Sequence, residues 1–196
     1  MSEINSRAHS LHCRLCKERV AAMLSGLYGA CRINHQFHWA ANPEEYVSTA
    51  LAELLFAIRK TLGDWRGQRD FIKSAQVPAC DFFVSDPPFI LEFDESQHFS
   101  VARLLTLSCY PDTLHLGFSR ARWQALCREI NARDDQPIDR DERRAWYDAL
   151  RDLIPQLHGF RPTIRLFAGD YAWCTLDPAD PEDRDLFAAM IHASAG

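Results

Sequence analysis

The sequence CDFFVSDPPFILEFDESQHF, residues 80–99, constrains the fold more than any other segment of the chain. Its aromatic and aliphatic residues indicate two buried strands, over residues 80–85 and 89–94, joined through the turn-forming run Asp86-Pro87-Pro88. The same segment contains five acidic residues. Since an unpaired charge is costly to bury, the acids within the strands need either cationic partners or a chemical role.

The pairing register of these strands decides whether the carboxylates of Asp81, Glu92 and Asp94 come together. Successive side chains of a strand point to opposite faces of the sheet. A three-residue loop pairs Ser85 with Phe89 and separates the carboxylates onto opposite faces. A two- or four-residue loop puts Asp81 beside Glu92 or Asp94, and we predict such an even loop.

The clearest helical pattern precedes the strand pair and covers residues 42–63. Asn42 is its predicted N-cap, Pro43 occupies the first helical position, and the apolar residues at helical spacing form one stripe. A basic connection follows, in which residues 71–74 are compatible with a short strand. Helices and strands in this order predict an α/β fold, with a mixed central β-sheet flanked by helices and a helical, Cys-rich N-terminal element.

Further helices are predicted after the strand pair. One is capped by Ser119, and another begins with a capping box of Asp139 and Glu142 and is closed by Pro155. Residues 162–176 indicate one or two strands, and residues 181–193 a short terminal helix.

Composition restricts the class of protein. A chain of 196 residues with 47% hydrophobic and 25% charged residues suits one globular domain with a small appendage. Because no apolar run approaches the ~20 residues of a membrane span and the N-terminus has no signal-peptide pattern, we expect no membrane partner and a cytoplasmic location. The net charge of −5 argues against passive coating of nucleic acid but is compatible with an enzyme that meets phosphate through a metal.

A cluster of cysteines near the start predicts a structural zinc site. Cys13, Cys16, Cys31 and His35 have the spacing C-x2-C-x14-C-x3-H, which suits tetrahedral zinc. His38 or His12 is an alternative fourth ligand. A redox-active C-x-x-C pair, Cys13 and Cys16, is a weaker hypothesis. We therefore expect residues 1–41 to form a zinc knuckle ahead of an α/β domain over residues 42–196. We predict that the remaining cysteines are small core residues: Cys80, Cys109, Cys127 and Cys174.

Several short motifs together resemble one family of nucleases. The segments are AELLFAIRKTL, CDFF, ILEFDESQHF, and YDALRD followed by PTIRLF. In this order they resemble the restriction-endonuclease-like PD-(D/E)xK superfamily, and within it the small domains similar to very-short-patch-repair nucleases. The resemblance covers about residues 45–99 and 140–168. Residues 100–139 then form a helical insertion.

The resemblance implies metal-dependent hydrolysis of nucleic-acid phosphodiesters, in the first place those of DNA. Asp81 and Glu92 would bind Mg²⁺ or Mn²⁺, and Glu53 on the predicted helix would be an accessory acid. Oxygen ligands of this kind suit such hard cations, which lower the pKa of a bound water.

Asp94 stands where the superfamily has a Lys, as it does in the small-domain branch, and Glu95 replaces the usual Gly. The polarising role of the superfamily's Lys then falls to His98 or Lys73 in this sequence. His98 fits better because imidazole transfers protons near neutral pH.

Basic residues supply predicted contacts to phosphate. We expect Arg151 to clamp a phosphate, with Lys73 and Arg165 as further contacts. In an alternative arrangement, Asp81 and Glu92 pair with Arg151 and Arg165 in a polar core.

The missing Lys also favours an alternative function, a non-catalytic nucleic-acid- or protein-binding module on the same fold. The sequence leaves open a homodimer and the choice between DNA and RNA.

Overall fold

The computed structural model describes residues 14–194, which form a mixed α/β fold around a four-stranded sheet. The strands are β1 (Cys31–His35), β2 (Cys80–Ser85), β3 (Pro88–Asp94) and β4 (Ile164–Phe167). They lie in the order β1-β2-β3-β4, with β1, β2 and β3 antiparallel and β4 parallel to β3. The prediction of an α/β fold with a mixed sheet between helices is confirmed.

Helices cover both faces of the sheet. Those within residues 14–194 are α1 (Arg14–Tyr28), α2 (Ala52–Trp65), α3 (Val101–Cys109), α4 (Arg120–Ile130), α5 (Arg140–Leu157) and α6 (Pro181–Ser194). Four short 3-10 helices occupy Pro43–Tyr46, Ser96–His98, Ala168–Asp170 and Trp173–Thr175. None of the described helices is long and apolar enough to cross a membrane.

Each face of the sheet supports its own hydrophobic core. Phe82 and Leu91 pair across the hairpin and point to the face covered by α1 and α6. Phe83 and Ile90 also pair and point to the opposite face, covered by α2, α3 and α5. The described part of the predicted N-terminal element is therefore continuous with the α/β domain, because α1 and β1 pack into the same sheet and core.

The hairpin between β2 and β3 has the even loop that the carboxylates require. Ser85 pairs with Pro88, so the turn consists of Asp86 and Pro87, which are joined by a cis peptide bond. Extending the register from the pair Phe82–Leu91 sets Asp81 opposite Glu92. The prediction of an even loop is confirmed.

The predicted start of the first long helix is wrong. Asn42 precedes a 3-10 helix, makes no side-chain cap bond, and α2 begins only at Ala52. The reason is tertiary: Tyr46 is buried and its hydroxyl donates to the Ala40 carbonyl, which holds this segment in a separate turn. Residues 71–74 likewise form no strand.

Two predictions about α5 are also wrong, whereas the Ser119 cap of α4 is confirmed. Asp139 makes no side-chain cap bond. Pro155 lies inside α5 and does not close it. A proline cannot donate to the carbonyl four residues earlier, that of Arg151, and this carbonyl accepts instead from the Thr163 hydroxyl.

Candidate active site

Asp81 and Glu92 meet at the end of the hairpin remote from its turn. The Asp81 backbone N–H donates to Glu92 Oε1 at 3.3 Å. The Phe93 N–H donates to Asp81 Oδ2 at 2.9 Å. Each carboxylate is thus fixed by the backbone of the opposite strand, and the structure brings together the two residues predicted as metal ligands.

Glu92 is the buried member of this pair. Burial raises the pKa of Glu92 to about 7, against the opposing attraction of Arg151. Arg151 Nε lies 3.0 Å from Glu92 Oε2, close enough for an ion pair, although this N–H makes no well-aligned hydrogen bond. Burial thus favours the protonated form of Glu92, whereas the charge of Arg151 favours the ionised form.

Asp81 is the more accessible member, and its partner is a residue that the sequence reasoning missed. Lys17 Nζ lies 2.8 Å from Asp81 Oδ1, and the two side chains are 39% and 20% exposed. Burial alone would lower the pKa of Lys17, but attraction to Asp81 and the hydrogen bond with it raise the pKa above its usual value. Glu95 and Glu92 add smaller contributions in the same direction.

Asp94 lies apart from this pair, inside the protein. Its Oδ2 accepts from Trp123 Nε1 and its Oδ1 from Arg165 Nη1, both at 2.7 Å. Asp94 is almost fully buried. A carboxylate with both oxygens held in this way is placed to organise the core and lacks an open position for a metal.

Arg165 is the centre of a buried polar network and has no exposed side-chain surface. Its Nε donates to Asp152 Oδ1 at 2.7 Å, and its Nη2 donates to the Asp148 carbonyl. Asp152 also accepts from Arg103. The predicted phosphate contact does not fit this position, because carboxylates enclose the guanidinium. Arg165 is thus paired in a polar core, as in the alternative arrangement, but with Asp94 and Asp152 in place of Asp81 and Glu92.

His98 joins the edge of the same network. Its Nδ1 lies 2.9 Å from Asp148 Oδ2 and 3.6 Å from Asp94 Oδ1, and its side chain is 18% exposed. Burial alone would lower the pKa of His98, but the charge of Asp148, the hydrogen bond to it and the charge of Asp94 raise it. His98 is thus held by Asp148, a residue that sequence reasoning did not single out.

Arg151 links this network to the candidate ligands. It pairs with Glu92 on β3 and donates from Nη2 to Asp148 Oδ1 at 2.8 Å. Because it is almost fully buried between these carboxylates, it orients Glu92 and has little surface for a phosphate.

Two predicted residues lie elsewhere. Glu53 is exposed in the first turn of α2, a helix that packs against α3 and α5. Lys73 forms an ion pair with Asp70 at 2.7 Å. The structure therefore brings neither the predicted accessory acid nor the predicted basic residue to the hairpin.

The predicted zinc ligands do not converge where the structure describes them, and Cys13 lies outside the described residues. Cys16 and Cys31 pack into the core beneath α1, whereas the His35 ring stacks on Phe83, 5.0 Å away, on the other face. Between Cys31 and His35, Asn34 has a φ of 51°, which interrupts the regular alternation of the strand. Within residues 14–194 we find no group of three or more Cys, His, Asp or Glu side chains arranged to hold a metal.

Comparisons with protein-family models, curated proteins and solved structures gave no match to this chain.

Proposed function

We propose that this protein is a metal-dependent endonuclease that hydrolyses nucleic-acid phosphodiesters, in the first place those of DNA. The observation that carries the proposal is the hairpin register, which sets Asp81 opposite Glu92. The mixed sheet between helices accords with the architecture that the motif resemblance implies.

The donor set suits Mg²⁺ or Mn²⁺. A Mg²⁺ site usually takes one or two carboxylates from the protein and completes its coordination with water and substrate phosphate, so Asp81 and Glu92 are a sufficient set. Asp81 is the accessible ligand and Glu92 the buried one. When bound, such a cation polarises a phosphoryl oxygen and lowers the pKa of bound water.

The chain's own residues supply the remaining functions. Lys17 places a positive charge beside both carboxylates, where it stabilises negative charge on a phosphate group. Arg151 holds Glu92 in position. Asp94 and His98, through Asp148 and Arg165, fix the end of β3 to α5. Their proposed role is positioning, because the core network occupies them.

The test is nicking of supercoiled plasmid in the presence of Mg²⁺ or Mn²⁺. Asp81→Asn and Glu92→Gln are expected to reduce cleavage at least about 100-fold, because metal-ion catalysis contributes several kcal/mol. Asp70→Asn is the matched control, since Asp70 is an exposed carboxylate paired with Lys73. Equal cleavage by the wild type and both site variants would refute the assignment.

A second candidate function is a non-catalytic nucleic-acid-binding module. It is favoured by the ion pairs of the site, because Lys17 and Arg151 already neutralise Asp81 and Glu92. Calorimetric titration with Mn²⁺ separates the two functions. Absence of Mn²⁺ binding, together with retained binding of DNA, supports the module and contradicts the nuclease.

A further inference from the structure

Six aromatic rings form a cluster at the edge of the sheet near β1. Three of them make a parallel stack, in which the Phe37 ring lies 4.1 Å from Trp39 with an interplanar angle of 4°. Trp39 in turn lies 5.0 Å from the His158 ring at 7°. His158 ends this stack and is exposed. A parallel stack with a polar, exposed terminal ring is open to extension by another flat ring.

A second stack crosses the first. Phe83 lies 5.0 Å from His35 at 21° and 5.5 Å from Phe160 at 14°. Phe37 meets Phe83 at 79° and Phe160 at 70°, so the two stacks support each other edge to face. Such contacts hold the rings rigidly, so that a ligand stacking on them costs little further ordering.

The two segments that carry most of the rings contain no acidic residue, although the whole chain has a net charge of −5. Residues 28–43 and 153–169, which contain five of the six rings, include no Asp or Glu. Arg32 is exposed, and its guanidinium carbon lies 6.0 Å from the centre of Phe83. Both burial and Arg32 lower the pKa of His35.

The cluster adjoins the candidate active site. Phe37 and Trp39 line a narrow, closed seam together with Cys80 of β2 and Arg151 of α5. Arg151 is the residue that pairs with Glu92. The buried side of the cluster therefore ends beside the residue that positions Glu92.

We propose that this aromatic surface, in which His158 and His35 reach solvent and Phe37, Phe160 and the buried Trp39 and Phe83 support them, binds single-stranded nucleic acid. Unpaired bases stack on the accessible faces of His158 and His35, while Arg32 contacts the phosphates. Aromatic rings between basic residues are the usual means of holding a single strand without sequence preference. A duplex hides its base faces within its own stack, so it presents only phosphates to this surface. The inference rests on the proposed nuclease function and names its substrate class.

The test measures binding of a fluorescently labelled oligothymidylate by fluorescence anisotropy. EDTA is present to remove divalent metal, so that the strand is not cleaved. The same strand annealed to oligoadenylate is the duplex competitor. His158→Ala is expected to weaken single-strand binding about 5- to 100-fold, the effect of losing one stacking ring. His158→Trp is expected to retain it. Phe56→Ala removes an exposed aromatic ring of α2 outside this surface and is the matched control.

A second variant probes the phosphate contact. Arg32→Ala is expected to reduce the salt dependence of single-strand binding by about one unit of slope, which a purely structural role would not do. The inference is overturned if duplex binds as tightly as single strand, or if His158→Ala binds like the wild type while its circular dichroism is unchanged.

Failure of this inference differs from failure of the nuclease function. If the wild type cleaves plasmid but His158→Ala binds single strands normally, the aromatic surface is not the binding site and the nuclease stands. If single strands bind through His158 but no metal supports cleavage of either plasmid or single-stranded DNA, the surface stands and the nuclease is refuted.

Discussion

Lys17 Nζ lies 2.8 Å from Asp81 Oδ1, although 64 positions separate the two residues in the chain. The contact brings α1 to the open end of the hairpin and gives the acidic pair an internal counter-ion. Because both side chains retain contact with solvent, the ion pair stabilises the fold by only about 0–1 kcal/mol. The main effect of this ion pair is on the binding of a metal ion at Asp81, because Lys17 competes with the metal for the carboxylate.

Replacing Lys17 by Met is expected to tighten Mn²⁺ binding about fivefold, because the metal no longer competes with an ammonium group for Asp81. The same substitution is expected to slow cleavage, since a positive charge beside the phosphate is lost. Calorimetric Mn²⁺ titration and plasmid nicking measure the two effects. Lys60→Met, which breaks the exposed pair with Asp64, is the control. Unchanged or weaker Mn²⁺ binding by Lys17→Met would contradict the competition.

Replacing Arg165 by Met is expected to destabilise the protein by about 3–5 kcal/mol, because it leaves the carboxylates of Asp94 and Asp152 buried without their main partner. Chemical denaturation measures the free energy of unfolding. Arg59→Met, which breaks an exposed pair with Glu44, is expected to cost less than about 1 kcal/mol. A loss no larger for Arg165→Met than for Arg59→Met would show that the network does not hold the core.

Stability is expected to fall as the pH rises above about 6.5, because the pKa of His98 is raised in the folded protein. A group with a raised pKa binds its proton more tightly when folded. The stabilisation is therefore complete below the unfolded pKa and is lost as the pH passes through the folded pKa. His98→Gln should remove this part of the pH dependence. Denaturation midpoints of the wild type and the variant at several pH values test it, and parallel curves would rule it out.

Glu92 is expected to lower stability between about pH 4.5 and 7, because burial raises its pKa to about 7. The folded protein then holds a proton that the unfolded chain releases, so stability decreases across this window. The total is on the order of 3 kcal/mol. Glu92→Gln has no such group and should become more stable relative to the wild type as the pH rises from 4.5 to 8. If the difference between them does not change with pH, Glu92 ionises normally.

Local patterns predicted the parts of the fold that local chemistry determines. The alternation and the turn residues of the hairpin predicted an even loop, which sets Asp81 beside Glu92 or Asp94, and Ser119 indicated the start of α4. The contact of Lys17 with Asp81 could not be predicted, because no sequence pattern near Lys17 relates α1 to the hairpin. β1 was missed because its sequence, CRINH, is mostly exposed and lacks the alternation of a half-buried strand.

The separation of Asp94 from Asp81 also needed the structure. Asp94 and Glu92 both carry carboxylates, and an even loop allows either of them beside Asp81. Trp123 and Arg165 draw Asp94 into the core, and both come from segments far away in sequence. Partner choice among buried charges is a tertiary property, so composition and spacing do not determine it.

The turn formed by Asp86 and Pro87 has a consequence for how the chain tolerates change. Many substitutions there leave the strands paired as they are. An insertion or deletion of a single residue shifts one strand against the other and turns Asp81 and Glu92 away from each other, although every side chain of the site is still present. The length of this turn is therefore under a stricter constraint than its residue types, and a one-residue insertion is a way to disable the site without altering any of its side chains.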